Sequence, residues 1–147
     1  MPLIELTAPA GALTDEGREG VQRELAETLL RWEGAPDTPL FRSIAWSYLH
    51  ELPGGAQTTA EDPEPRFRVD VTVPDGTLDD ERREGLVGDV TSLVLRSAGL
   101  PEDDAMRVWV LIHEQPDGTW GAGGRIVRHS DLMEVAKAQR AAAASVT

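Results

Sequence analysis

Few side chains in this sequence are equipped for chemistry. The chain has no cysteine, so thiolate catalysis and disulfides are excluded. Of its three histidines, His50 and His113 are each followed by Glu ("HELPG", "HEQPD"), with no second His one helical turn on, and no metal site is expected. The residue that draws attention is Pro2. A small second residue such as Pro allows the initiating Met to be removed, which leaves a secondary amine on a rigid ring at the start of a strand-like stretch, "PLIELT". An α-amine with a pKa near 8 is only about one-tenth neutral at pH 7, and apolar burial or nearby cations would lower that value. A drop of one unit raises the neutral fraction only about fivefold, so tuning is a minor contribution. Larger contributions must come from holding a substrate carbon against the amine and stabilising the enolate that forms. The chemistry such a group suits is abstraction of a proton beside a carbonyl and its return elsewhere.

Composition narrows the partners. The 147 residues carry a formal charge of −12, which argues against nucleic acid, whose binding draws on clustered Lys and Arg. No apolar run approaches the roughly 18 residues of a membrane span, and "MPLIEL" lacks the basic start and apolar centre of a signal peptide. A cytoplasmic protein without cofactor, acting on a small molecule or binding another protein, is the expectation.

The elements that must position Pro2 are legible because the chain repeats itself. Residues 7–36, "TAPAGALTDEGREGVQRELAETLLRWEGAP", lie over residues 72–101, "TVPDGTLDDERREGLVGDVTSLVLRSAGLP", with thirteen of thirty positions identical, Gly and Pro included. After a two-residue slip, "AWSYLHELPGG" lies over "VWVLIHEQPDG". The connecting "GGAQTTAEDPEPR" has no apolar periodicity. The organisation expected is a first unit over 1–53, a linker over 54–66, a second unit over 67–127 and a helical tail over 128–147, all in one compact domain.

Each unit reads alike. "LIELT" and "RVDVTV" alternate with the period of a half-buried strand. A Gly turn follows, then a helix with Thr14 or Asp79 as N-cap and acids in its first turn. Val21, Leu25 and Leu29 fall four apart in one helix, as do Leu86, Val90 and Val94 in the other. The helices end near Gly34 and Gly99, and "SIAWSYL" and "MRVWVLI" supply second strands. The fold class predicted is α+β: a tandem β-α-β repeat forming a four-stranded mixed sheet with two helices on one face. The other face, with Glu5, Thr7, Arg68, Asp70 and Thr72 on it, is left bare, which suggests an oligomer. The tail reads as a helix capped at Ser130 or Asp131, with Leu132, Val135 and Ala136 on one side, packing on a neighbouring subunit or fraying.

Pro2, the two strand-Gly-helix-strand units and the stretch "VWVLIHEQPDGTWGAGG" together resemble the tautomerase superfamily, the group of 4-oxalocrotonate tautomerase. The fused length is similar to its trimeric branch, which includes cis-3-chloroacrylic acid dehalogenase. The resemblance spans about residues 2–127 and implies a homotrimer in which Pro2 is the general base. The second unit has Phe67 in Pro2's place, so one site per chain is expected.

The resemblance also exposes departures. The paired arginines that hold a substrate carboxylate in the dehalogenase fall here on Pro74 and Thr77, its helix His on Leu29, its strand Tyr on Leu111 and its late Glu near Ala122. The small tautomerase's second-strand Arg falls on Trp109, and its closing aromatic on Trp120. The substrate-binding residues implied are therefore Trp120, Trp109, Thr77 and Arg107, the nearest cation, which shares a surface with Trp109 on a regular strand. The implied function is keto-enol isomerisation of a small 2-oxo or enol acid, a carboxylate. The alternatives are a lyase, hydratase or dehalogenase of the same family, or a non-catalytic trimeric binding protein.

Overall fold

The computed structural model describes residues 1–145; the last two residues of the expected tail, Val146 and Thr147, lie outside the described residues. The first unit runs β1 (Leu3–Pro9), α1 (Asp15–Glu33), a short α2 (Pro39–Ser43) and β2 (Trp46–Leu52). The second runs β3 (Phe67–Pro74), α3 (Asp80–Ser97), a 3-10 turn (Glu102–Arg107) and β4 (Val108–Gln115). A two-residue hairpin, β5 (Gly121–Ala122) with β6 (Arg125–Ile126), and α4 (His129–Ser145) close the chain.

The four long strands form one mixed sheet in the order β2-β1-β3-β4. The strands of each unit are parallel, and the units meet along antiparallel β1 and β3, with Glu5 opposite Asp70 at the centre of the join. Alternation decides which face is buried. Ile4, Leu6 and Ala8 of β1 and Val69, Val71 and Val73 of β3 point to the helices and are at most 1% exposed. They pack with Val21, Leu25 and Leu29 of α1 and Leu86, Val90 and Val94 of α3 in one core shared by both units.

The helix ends follow the sequence signals. Thr14 accepts from the Gly17 amide at 2.9 Å and Asp79 from the Arg82 amide at 2.8 Å. Gly34 closes α1 in the left-handed region at φ 71°, its N–H bonded back to Leu30 and Arg31 carbonyls. That stop fixes where Glu33, the last residue of α1, projects.

On the bare face the two units again match. His50 Nε2 lies 2.9 Å from Glu5 Oε1, and His113 Nε2 lies 2.9 Å from Asp70 Oδ1. Trp46, Tyr48, Trp109 and Leu111 are exposed on the same face.

The tail differs from the reading of its sequence. α4 starts at His129, ahead of both proposed caps, and Asp131 accepts from the Arg128 amide at 3.0 Å. It docks on its own chain: Ala136 is buried against Leu30 and Phe41. Val135 is accordingly exposed, Ala136 is buried and Leu132 lines the cavity at the start of β1, where Met133 also reaches although it is largely exposed.

Candidate active site

Pro2 is buried where β1 begins, and its carbonyl accepts from the Trp46 amide at 3.1 Å, which ties the chain start to β2. Proline suits this edge-of-ladder position because it has no N–H to satisfy. Around it is a cavity of about 90 Å³. Its apolar wall is Phe41 from α2 and Leu132, Met133 and Ala136 from α4; its polar groups are Glu33, Thr77, His129 and Arg140. Met1 also lines this cavity, so its side chain and amine occupy space that a substrate and a free Pro2 amine would take in a processed chain.

Two charges at this site are perturbed by burial, and each opposes the other's shift. Burial pushes the Glu33 carboxyl up to about 7, against the pull of the N-terminal ammonium. Burial lowers the amine of Met1, against the pull of Glu33. The helix adds to the discomfort of Glu33. An acid at a C-terminus faces the negative end of the helix and its unpaired carbonyls. Two arginines cover that end: Arg82 Nη1 donates to the Glu33 carbonyl at 3.2 Å, and Arg140 Nη2 donates to the Gly34 carbonyl at 2.6 Å. His129 contributes a buried Nδ1 with no hydrogen-bond partner in the structure.

The substrate-binding residues expected from the sequence divide. Thr77 is at the Pro2 cavity, but its hydroxyl donates to the Pro74 carbonyl at 2.6 Å, which leaves it lone pairs and no proton for a carboxylate. Arg107 and Trp109 line another cavity of about 580 Å³, together with Phe67, Arg66 and Arg68. That cavity is larger, yet its arginines already have acidic partners: Asp62 at 3.4 Å from Arg66, Asp70 at 2.9 Å from Arg68 and Asp104 at 3.5 Å from Arg107. Trp120 lines neither cavity; its carbonyl accepts from the Val127 amide at 2.9 Å beside the β5-β6 hairpin. Among the described residues, no group of three or more His, Asp or Glu is arranged to hold a metal ion. No helix among them is long and apolar enough to cross a membrane.

Sequence reasoning missed Glu33, His129 and Arg140. A signal for Glu33 was present, since its partner in the repeat is Ala98. His129 and Arg140 stand outside the repeat, on a helix whose docking site the sequence does not specify.

Residues 68–130, from β3 to the start of α4, match the family described as tautomerase enzyme. The second unit is thus similar to the tautomerase family over these residues. The chain as a whole shares its fold with solved structures of that group. A fused 4-OT wild-type asymmetric trimer superposes with a TM-score of 0.70 at 18% identity, covering 84% of this chain and 94% of that one. A member of the cis-3-chloroacrylic acid dehalogenase family gives 0.73 at 21% identity, covering 90% and 88%. Pt0534, described as inactivated by 2-oxo-3-pentynoate, gives 0.71 at 23% identity, covering 84% and 94%. No curated protein sequence matches the chain. The tautomerase fold thus extends over both units, and in this chain Pro2 and Glu33 line one cavity.

Proposed function

We propose that this protein is a tautomerase that isomerises a small 2-oxo or enol acid, with the Pro2 amine as general base once Met1 is removed. One observation carries the reading: Pro2 is buried at a cavity that also holds titratable and cationic side chains. Pro2 takes a proton from the carbon beside the carbonyl, the developing enolate is stabilised by donors in the cavity, and a proton is delivered to its oxygen to give the enol; the reverse reaction uses the same groups. Desolvation favours the neutral, reactive amine.

The working form is a homotrimer that covers the bare sheet face. Exposed Trp46, Tyr48, Trp109 and Leu111 support this, because a monomer would leave that face to water. Arg107, Trp109 and Trp120 join a substrate site only if a neighbouring copy presents them, and that is the role proposed for them here.

A second reading has an observation of its own. Met1 lines the cavity, and a chain that keeps Met1 would fill its own site and act as a non-catalytic trimer. Intact mass decides whether Met1 is present. Turnover of an enolpyruvate is then compared between the native protein, Pro2→Ala and a variant extended by one residue before Pro2. The tautomerase reading requires loss of most turnover in both variants with the fold retained. Full activity in the extended protein would end it.

A further inference from the structure

The geometry points to Glu33 as the proton partner of Pro2, the group that delivers a proton to the substrate's carbonyl oxygen and recovers one from the Pro2 ammonium. This rests on the reading of Pro2 as the base. Three independent observations support it.

The first is the difference between the repeats. Where the units agree, they agree on what the fold needs: Gly11 and Gly76 in the turns, Arg18 and Arg83 bound to Glu51 and Glu114, Gly34 and Gly99 after the helices. Where they differ at the cavity, the amine-bearing Pro2 becomes Phe67 and the carboxyl of Glu33 becomes Ala98. The unit that lacks the base lacks the acid as well. A carboxyl required by the packing of the helix would be expected in both.

The second is position. Glu33 closes α1 at the end where a negative charge is least favourable, and nothing among the hydrogen bonds or ion pairs of the described residues engages its carboxylate. Its backbone carbonyl is the atom that Arg82 holds. The side chain is thereby left to the cavity.

The third is charge. The charged and titratable groups around Glu33 are the Met1 amine, His129 and Arg140 at the cavity, and the Arg82 guanidinium on its backbone carbonyl. Desolvation outweighs the terminal cation and leaves the carboxyl near half-protonated at neutral pH, poised to give or take a proton there.

The step balances without a co-reactant. The neutral Pro2 nitrogen takes the proton on the carbon beside the carbonyl, the C–H electron pair moves into a new C=C bond, and the C=O π pair moves onto oxygen. That oxygen takes the Glu33 proton, giving the enol, a Glu33 carboxylate and a Pro2 ammonium. Transfer of the ammonium proton to the carboxylate restores both groups. The substrate class that fits is a small 2-oxo acid whose carbonyl oxygen lies toward Glu33 and whose carboxylate lies toward Arg140, the cation at the cavity.

The test uses 2-oxo-3-pentynoate as a probe, because an alkynyl ketone adds to a neutral amine and leaves a stable adduct. The full chain, shown by mass to lack Met1, is labelled across pH in wild type and in Glu33→Gln, and the adduct is mapped to Pro2. The apparent amine pKa from labelling is expected to fall by roughly one unit in Glu33→Gln, since an opposing charge is removed. In parallel, kcat/KM for an enolpyruvate is expected to lose its basic limb and drop by roughly 10²–10⁴ in Glu33→Gln, with partial rescue in Glu33→Asp. Failure to label Pro2 in the wild type defeats the general-base reading and this inference with it. Labelling of Pro2 with an unchanged amine pKa, or an unchanged basic limb in Glu33→Gln, overturns the role of Glu33 alone.

Discussion

Gly85 lies directly against the indole of Trp32: a Cβ built on Gly85 would fall 2.1 Å from the ring. α1 and α3 therefore cross at a point where one helix has no side chain and the other has its largest. Trp32 Nε1 donates to Asp89 Oδ2 at 2.8 Å, which fixes the ring on α3. Since Glu33 is the next residue, this contact also anchors the turn that carries the carboxyl. Gly85→Ala must displace the indole or part the helices, at a cost of about 1–3 kcal/mol. Gly88, on the same helix, has nothing within 4 Å of its built Cβ. Gly88→Ala is expected to be neutral or to stabilise by up to about 1 kcal/mol. Urea midpoints of the two variants should move in opposite directions, or only the first should move.

Glu33 also makes stability depend on pH. Its pKa rises from an ordinary 4.5 to about 7 on folding, so between those values the folded chain binds more protons than the unfolded one. Stability from this group is therefore lost as pH rises through the window from about 4.5 to 7, by at most about 3–4 kcal/mol at roughly 1.4 kcal/mol per unit. In a chain that keeps Met1, its amine has the opposite sign: the lowered pKa makes folding more favourable as pH rises toward 8. Glu33→Gln removes the first effect and keeps the second. Denaturation at pH 4.5 is expected to give near-equal stabilities for wild type and variant, and at pH 8 a more stable variant. Equal stability at both pH values would show that the carboxyl is not desolvated.

The repeat is what made the fold readable. Val21, Leu25 and Leu29 in α1 and Leu86, Val90 and Val94 in α3 are all at 0% exposure, because a stripe at fourfold spacing has only one way to be buried against a sheet. Thr14 and Asp79 cap as their types predict, since a cap is a contact between residues three apart. The site was less legible for the same physical reason. Its walls come from Pro2, Thr77, Glu33 and His129, which approach only after both units and α4 have docked. α4 shows the limit well: its apolar residues were visible, but which of them turned inward depended on a surface made by α1 and α2.

The bare sheet face predicts assembly. Trp46 and Trp109 are 58% and 64% exposed at matching positions of the two units, and the His50–Glu5 and His113–Asp70 pairs stand between them. Sedimentation at micromolar concentration is expected to give three times the 16.0 kDa chain mass. Trp109→Glu would place a carboxylate in a covered interface without a partner, at a cost of several kcal/mol per copy. That variant should sediment as a smaller species with an unchanged helical signal. A monomeric wild type would contradict the trimer.

The choice between isomerising a keto acid and releasing halide from a vinyl halide turns on how firmly the substrate carboxylate is held. Hydrolysis needs an activated water and a carboxylate gripped strongly enough to polarise the double bond, which paired arginines would provide. Here Pro74 and Thr77 occupy those positions, and the Thr77 hydroxyl already spends its proton on the Pro74 carbonyl. Arg140 is the cation at the cavity, and one of its terminal nitrogens is engaged with the Gly34 carbonyl. A neutral hydrogen bond contributes about 1 kcal/mol net where a charge-assisted one gives about 1.5–3, so losing two of the latter costs on the order of 10–10³ in rate. A keto-enol shift has the lower barrier and tolerates that loss; it needs a base near one carbon and an acid near the oxygen, which Pro2 and Glu33 would supply. One preparation assayed with an enolpyruvate and with 3-haloacrylates is expected to tautomerise the first and release little or no halide from the second. Arg140→Ala should raise KM for the enolpyruvate roughly tenfold, as loss of about 1.4 kcal/mol of carboxylate binding requires. Efficient halide release without tautomerisation would overturn this assignment.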